Sequence, residues 1–142
     1  MKNNIKVVLD TNILLVSISS KSKYHWIYKG LLNSAFDLCI SHEILLEYEK
    51  IISAKFNSIV AQNTIRTLLL LPNVHQTNVF FYWNLITDDK DDNKFADCYL
   101  SANANILVTN DKHFDILKNI NFPKINIIDI NKFGKILNNN AL

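Results

Sequence analysis

Glycine and proline are scarce, with two of each in 142 residues. A chain this poor in helix- and strand-breaking residues is neither loop-rich nor disordered. Cysteine is equally rare. Cys39 and Cys98 lie far apart in apolar surroundings, and no zinc-ligand spacing surrounds them. They read as two buried free thiols of a reducing compartment. His25, His42, His75 and His113 show no paired spacing for zinc either. G-x-G-x-x-G and P-loop motifs are absent, which removes support for dinucleotide and nucleoside-triphosphate binding, and the absence of G-x-S-x-G argues against an α/β-hydrolase. Long hydrophobic runs are missing too. Leu68 to Leu71 falls far short of the roughly 20 residues a membrane span needs. Asp10 ends the first apolar run too early for a secretory signal. The expectation is a soluble cytoplasmic protein with no membrane partner. A formal charge of +2 does not demand a polyanionic partner, although a balanced total can hide separated patches.

What is present is an ordinary globular balance of 49% hydrophobic and 20% charged residues. The length suits a single domain over residues 1–142, with the asparagine-rich tail 138–142 frayed. Four short apolar runs read as strands: Ile5–Leu9, Phe36–Ile40, Ile106–Thr109 and Ile125–Ile128. Their unbroken apolar character suits strands buried on both faces of a parallel sheet. Helical patterns lie between them, over Tyr24–Asn33, from a cap at Ser41 to about Lys55, over Ser58–Leu71 up to Pro72, and from Asp91 or Asp92 to about Ala104. Shorter helical stretches cover Lys112–Lys118 and Asn131–Leu137. Val74–Phe81 fits either an edge strand or a loop. The alternation predicts an α/β fold, a three-layer α/β/α sandwich around a central, mostly parallel sheet.

Active sites of open α/β sheets form beyond the carboxyl ends of the strands. Two of the runs lead into aspartate there: Leu9 into Asp10, and Val108-Thr109-Asn110 into Asp111. Either acid alone is explained by capping the next helix. Glu47 is more telling, because it shares a helix face with the apolar Ile44, Tyr48 and Ile51, where a carboxylate needs a partner. That partner is either a lysine or arginine in a salt bridge, or a metal. Glu43 and Glu49 have no such frame and read as solvated. Asp88-Asp89-Lys90-Asp91-Asp92 crowds more acid before a helix than capping and the helix dipole require. Asp92 shares an arc with Phe95, Ala96 and Tyr99, and Asp97 lies at the arc's edge. Clustered carboxylates protonate unless a cation intervenes, and hard divalent ions take oxygen ligands.

In this order the motifs resemble those of the PIN-domain family. Val7-Val8-Leu9-Asp10-Thr11-Asn12 is similar to its opening strand, and Ser41-His42-Glu43-Ile44-Leu45-Leu46-Glu47 to its second motif. Asp91-Asp92-Asn93-Lys94-Phe95 is similar to the third, and Leu107-Val108-Thr109-Asn110-Asp111-Lys112-His113-Phe114 to the fourth. The form most resembled is the VapC-like ribonuclease, the toxin of a bacterial toxin–antitoxin pair. The resemblance implies an endoribonuclease that hydrolyses RNA phosphodiester bonds with a metal-activated water, dependent on Mg²⁺ or Mn²⁺, often dimeric, and silenced by an antitoxin. It carries metal binding and catalysis onto Asp10, Glu47, Asp92 and Asp111. Thr11, Asn12, Asn93 and Thr109 become supporting residues, with the Thr11 and Asn12 side chains expected to hydrogen-bond the first carboxylate and the backbone beside it. One position departs from the pattern, since the third aspartate of many PIN proteins falls on Asn93 here. Asp92 stands one residue before it, and Asp97, one turn beyond, is the other acid able to take over.

Among the basic residues, Lys94, Lys112 and His113 are candidate RNA contacts, and Lys21, Lys23 and Lys90 fall in segments expected near the same rim. Trp26, Tyr28, Phe80, Phe81 and Trp83 read as core or interface aromatics. The stretch around Val79–Trp83 motivates a homodimer. Two other functions compete: a non-catalytic PIN-like module that binds RNA or protein, and an aspartate-based phosphatase or phosphoacceptor. The second is weakened because position 12 is Asn rather than an acid.

Overall fold

The computed structural model describes residues 4–140. The chain runs β1 (Lys6–Leu9), α1 (Thr11–Ser17), α2 (His25–Leu32), β2 (Asp37–Ile40), α3 (His42–Lys55), α4 (Ser58–Leu70) and β3 (Val74–Gln76). A 3-10 turn, Lys90–Asp92, leads into α5 (Asn93–Ala102), followed by β4 (Ile106–Val108), a 3-10 helix over Lys112–Asn119, β5 (Ile127–Ile128) and α6 (Ile130–Asn140). The five strands form one sheet in the order β3-β2-β1-β4-β5, and every pairing is parallel. Right-handed crossovers place connections that step in opposite directions along the sheet on opposite faces, which yields three layers, α/β/α.

The apolar strand runs are the core. Val7, Val8, Leu9, Leu38, Ile40, Leu107 and Val108 are fully buried. A strand buried on both faces has no reason to alternate, so the sequence reads as a continuous run. Ser41 caps α3 as expected, its hydroxyl accepting from the Ile44 N–H at 3.3 Å. α5 stops two residues earlier than the pattern predicts, because Asn103 adopts the left-handed conformation that ends helices (φ 56°). Val74–Phe81 divides: Val74–Gln76 is an edge strand, and an extended strap without regular structure follows.

Some expectations are corrected. The helix α1 directly after Asp10 is absent from the sequence reading, since Thr11–Ser17 is too short for its periodicity to stand out. α6 continues through Asn140, so residues 138–140 are helical where the sequence reading has a frayed tail; 141–142 lie outside the described residues. Phe80 and Phe81 are not core: they are 88% and 61% exposed. Cys39 and Cys98 are free and buried, and burial pushes their thiols up to about 11 and about 12. Among the described residues no helix is long and apolar enough to cross a membrane.

Candidate active site

β1 is the point where strand order reverses, with β2 and β3 on one side and β4 and β5 on the other. The crevice at such a switch point is where open α/β sheets bind ligands. The residues that leave β1 and β4 at this end are Asp10 and Thr109-Asn110-Asp111, so the sheet register brings together acids about a hundred positions apart in the chain. The Asp10 N–H donates to the Val108 carbonyl at 3.1 Å, extending the ladder one step and fixing its backbone.

Asp10 is 5% exposed. Its Oδ2 accepts a 2.8 Å hydrogen bond from the Thr109 hydroxyl, which itself accepts from the Asp111 N–H at 3.0 Å. Thr109 thus orients both acids at once. Burial pushes the Asp10 carboxyl up to about 6, against the lowering effect of the Thr109 and Thr11 hydrogen bonds, and Asp111 and Glu47 add repulsion. Asp92 stands at about 7 for the same leading reason, with repulsion from Asp89, Asp10 and Asp111, and His113 pulling it down. Its Oδ2 is buried and has no hydrogen-bond partner among the described residues. Carboxylate oxygens of Asp89 and Asp92 and a ring nitrogen of His113 all lie within 4.8 Å of one another. His113 Nδ1 is 3.4 Å from Asp111 Oδ1 and 3.8 Å from Asp92 Oδ2. Among the described residues the ligand atoms that lie close enough to share one ion are those of Asp89, Asp92 and His113, while Asp10 and Asp111 are near enough to repel Asp92; these carboxylates, with the orphaned Asp92 oxygen, are ligands of the kind a hard divalent cation takes.

Glu47 belongs to the same cluster but is differently placed. Tyr48, its neighbour on α3, is fully buried and donates its hydroxyl to the Leu9 carbonyl at 2.5 Å, which ties α3 to the end of β1. Glu47 is carried to the rim by that attachment. There its Oε1 pairs with Lys94 Nζ at 2.8 Å, and its Oε2 accepts from the Thr11 hydroxyl. The salt-bridge alternative weighed from sequence is therefore the contact observed. Glu43 and Glu49 are exposed, as their positions predict.

α5 separates the remaining candidates by face. Asn93 and Asp97, one turn apart, both hold the strap that follows β3. The Asn93 amide makes a two-way clamp on Ile86, accepting from its N–H at 2.8 Å and donating to its carbonyl at 2.9 Å. Asp97 accepts from the Trp83 N–H at 3.0 Å. Burial raises the Asp97 carboxyl above its ordinary value. Asp92, just before the helix, is the residue that feels Asp10 and Asp111. Of the two acids offered for the third position, Asp92 joins the cluster and Asp97 serves the strap.

The supporting residues are redistributed as well. Thr109 and the Thr11 backbone hold Asp10, whereas the Thr11 side chain goes to Glu47 and Asn12 is exposed. Asn12 lines a cavity of about 270 Å³ with Asp10, Asn110 and Asp111. Lys112 and His113 are exposed, as are Lys21, Lys23 and Lys90, while Lys94 is committed to Glu47. Asp89, Tyr48 and the Lys94 pairing were missed from sequence. Asp89 had a signal as one member of the crowded acidic run, Tyr48 as an apolar neighbour of Glu47, and the pairing as a salt bridge with no lysine named.

A family model described as PIN domain matches residues 6–113. No curated protein matches the chain. Among solved structures, a chain from VapBC2 of Rickettsia felis, bound to a DNA fragment from their promoter, aligns with a TM-score of 0.60 at 21% identity, over 88% of this chain and 98% of that one. A chain from DNA-bound VapBC of Salmonella typhimurium aligns with a TM-score of 0.59 at 21% identity, over 89% and 98%. At this identity the likeness carries the fold, and both alignments span nearly the whole of the other chain.

Proposed function

This chain belongs to the PIN-domain family, and on that premise we propose that it is a metal-dependent endoribonuclease, the toxin of a toxin–antitoxin pair acting in the cytoplasm. The observation that carries the nuclease reading is the mutual repulsion of Asp10, Asp92 and Asp111 at the switch point, with one buried Asp92 oxygen that has no hydrogen-bond partner among the described residues. These three acids would hold Mg²⁺ or Mn²⁺, with Asp89 and His113 adjoining. A divalent ion bound there supplies a Lewis acid and an activated water for phosphodiester hydrolysis.

The chain's own residues do the rest. Thr109 keeps the Asp10 carboxylate aimed by hydrogen-bonding one oxygen, and pins Asp111 through its backbone. Rigid support of this kind is what a preorganised site needs. His113 and Lys112, both exposed, would meet backbone phosphates and offset the acids' repulsion of a polyanion. Glu47 lends its negative charge to Asp10's surroundings while both its oxygens stay engaged.

The toxin reading and the antitoxin partner rest on the resemblance of all four motifs and on the VapBC structural neighbours. A homodimer is proposed from the exposed aromatics Phe80, Phe81 and Tyr82. One observation favours a second reading, a non-catalytic PIN-like binding module: Lys94 and Thr11 occupy both oxygens of Glu47. The test is cleavage of single-stranded RNA with Mg²⁺ or Mn²⁺ added and then chelated. Turnover that stops with chelator supports the nuclease. Turnover that survives thorough chelation overturns the metal mechanism, and RNA binding without any turnover selects the module.

A further inference from the structure

We propose that the Lys94 ammonium is a built-in counter-cation that reserves Glu47, so that the site takes a single divalent ion on its Asp10–Asp92–Asp111 side. This rests on the metal-site reading above and changes the role of one acid in it, making Glu47 a positioning residue held away from the ion.

Lys94 and Glu47 are 47 positions apart and meet at 2.8 Å, with side chains 16% and 22% exposed. An ammonium this sheltered is not a surface lysine sampling solvent. The second Glu47 oxygen accepts from Thr11, whose helix begins directly after Asp10. Glu47 is therefore held from two sides, by α1 and by the first turn of α5, and a metal ion reaching it must displace one of those bonds. Among the described residues no lysine pairs with the acids of the other arm. His113 is the cationic candidate there, half exposed and 3.8 Å from the Asp92 oxygen. Lys94 lies two residues beyond Asp92 on the element that also carries the strap clamp, so its backbone is fixed by Asn93 and Asp97 rather than free to withdraw. A fixed positive charge beside one acid and an unpartnered oxygen on the other arm divide the cluster into an occupied half and an open half. Two divalent ions in such a site would share their carboxylates at close range, and the ammonium stands where the second would need Glu47.

The test counts bound Mn²⁺ by electron paramagnetic resonance and measures affinity by calorimetry, on the full chain without RNA. Lys94→Met keeps the aliphatic stem and deletes the charge; Lys94→Arg keeps the charge. The wild type and Lys94→Arg are expected to bind one Mn²⁺. Lys94→Met is expected to bind a second ion, or to bind the first about tenfold more tightly, the order of effect of removing one nearby, partly screened positive charge. Adding Glu47→Gln to Lys94→Met should cancel that gain. Identical stoichiometry and affinity in wild type and Lys94→Met would overturn the proposal and leave the metal-site reading standing. Metal uptake by Lys94→Met alone would overturn the single-ion site and remove the wild type as a metal enzyme. Two ions in the wild type, or none in any variant, would overturn it; the last result would also remove the proposed function.

Discussion

The two arms of the acidic site solve the same electrostatic problem in different ways. On the α3 arm, Glu47 meets a lysine and a threonine, and its charge is compensated within the fold. On the strand-end arm, Asp10 is buried and Asp92 half-buried, Asp111 repels both, and their carboxyls rise to about 6 and about 7. The first arm is built as a structural contact, and the second is the one we propose as a binding site. The same residue type near the same rim can thus be stabilising or costly, depending on whether the chain supplies the counter-charge.

The largest expected effect falls on the open arm. Asp10→Asn should reduce metal-dependent RNA cleavage by about 100-fold or more, beyond what losing a supporting contact does. It should not lower the metal-free melting temperature, because the acid it removes is already disfavoured by burial. Loss of stability without loss of cleavage, measured by thermal melts beside a cleavage assay, would invert the comparison.

α5 gives a second contrast. Asp92→Asn should impair cleavage as Asp10→Asn does. Asn93→Asp, which restores an acid at the family's usual place, should not raise activity. An aspartate there cannot donate to the Ile86 carbonyl, and a buried carbonyl left unpaired costs about 1–3 kcal/mol. A gain of activity in Asn93→Asp would mean that the third acid belongs at position 93 after all.

These contrasts also mark how far the sequence could be read. The strand runs were legible because burial on both faces leaves no alternation to misjudge, and Asp10 and Asp111 followed from where those runs stop. Glu47 was legible as a carboxylate in an apolar frame. Its partner was not, because Lys94 reaches it only through the packing of α3 and α5, 47 positions apart. The third acid was ambiguous because Asp92 and Asp97 flank the same helical arc. What separates them is the strap, whose backbone takes Asn93 and Asp97 as clamps, and a strap without periodicity leaves no pattern to read. Of the expected supporting residues, Thr109 serves Asp10 with its side chain and the Thr11 and Asn12 side chains do not, since hydrogen-bond reach across β1 and β4 depends on register.

The pH dependence sharpens the comparison further. Asp10 and Asp92 both sit above the unfolded value of 3.8, so the folded protein binds more protons than the unfolded one between about 4 and 7. Metal-free stability from these groups is therefore fully present below the unfolded value and is lost as pH rises through 6 and 7. The shift of Asp10 alone corresponds to about 2–3 kcal/mol. Denaturant melts at pH 5 and pH 8 should show the loss in metal-free wild type, and a smaller loss in Asp10→Asn. Mg²⁺ or Mn²⁺ should restore part of the stability at pH 8, because binding to the folded state alone stabilises it. A metal-free protein as stable at pH 8 as at pH 5 would contradict the assignment of an uncompensated arm.

The smallest effect comes from the compensated arm, and there the sign reverses. From the sequence, Glu47→Gln should abolish or strongly reduce cleavage and leave metal-free stability unharmed or raised, as expected of a direct metal ligand. The ion pair changes both expectations. Gln at 47 keeps a hydrogen bond to Thr11 but leaves the sheltered Lys94 ammonium without its counter-charge, so metal-free stability should fall. Both side chains retain some solvent contact, which limits the loss to about 1 kcal/mol. Cleavage should drop by about 10–100-fold, the range for a supporting contact rather than a ligand. Glu49→Gln, two positions along the same helix and exposed, should change neither quantity. The pair is decisive because Glu47→Gln and Asp10→Asn are the same chemical change at two ends of one cluster. Opposite signs in metal-free melting temperature mean that the chain compensates one acid and leaves the other for an ion. The same sign in both, read side by side at pH 8 without metal, would remove the distinction between the arms.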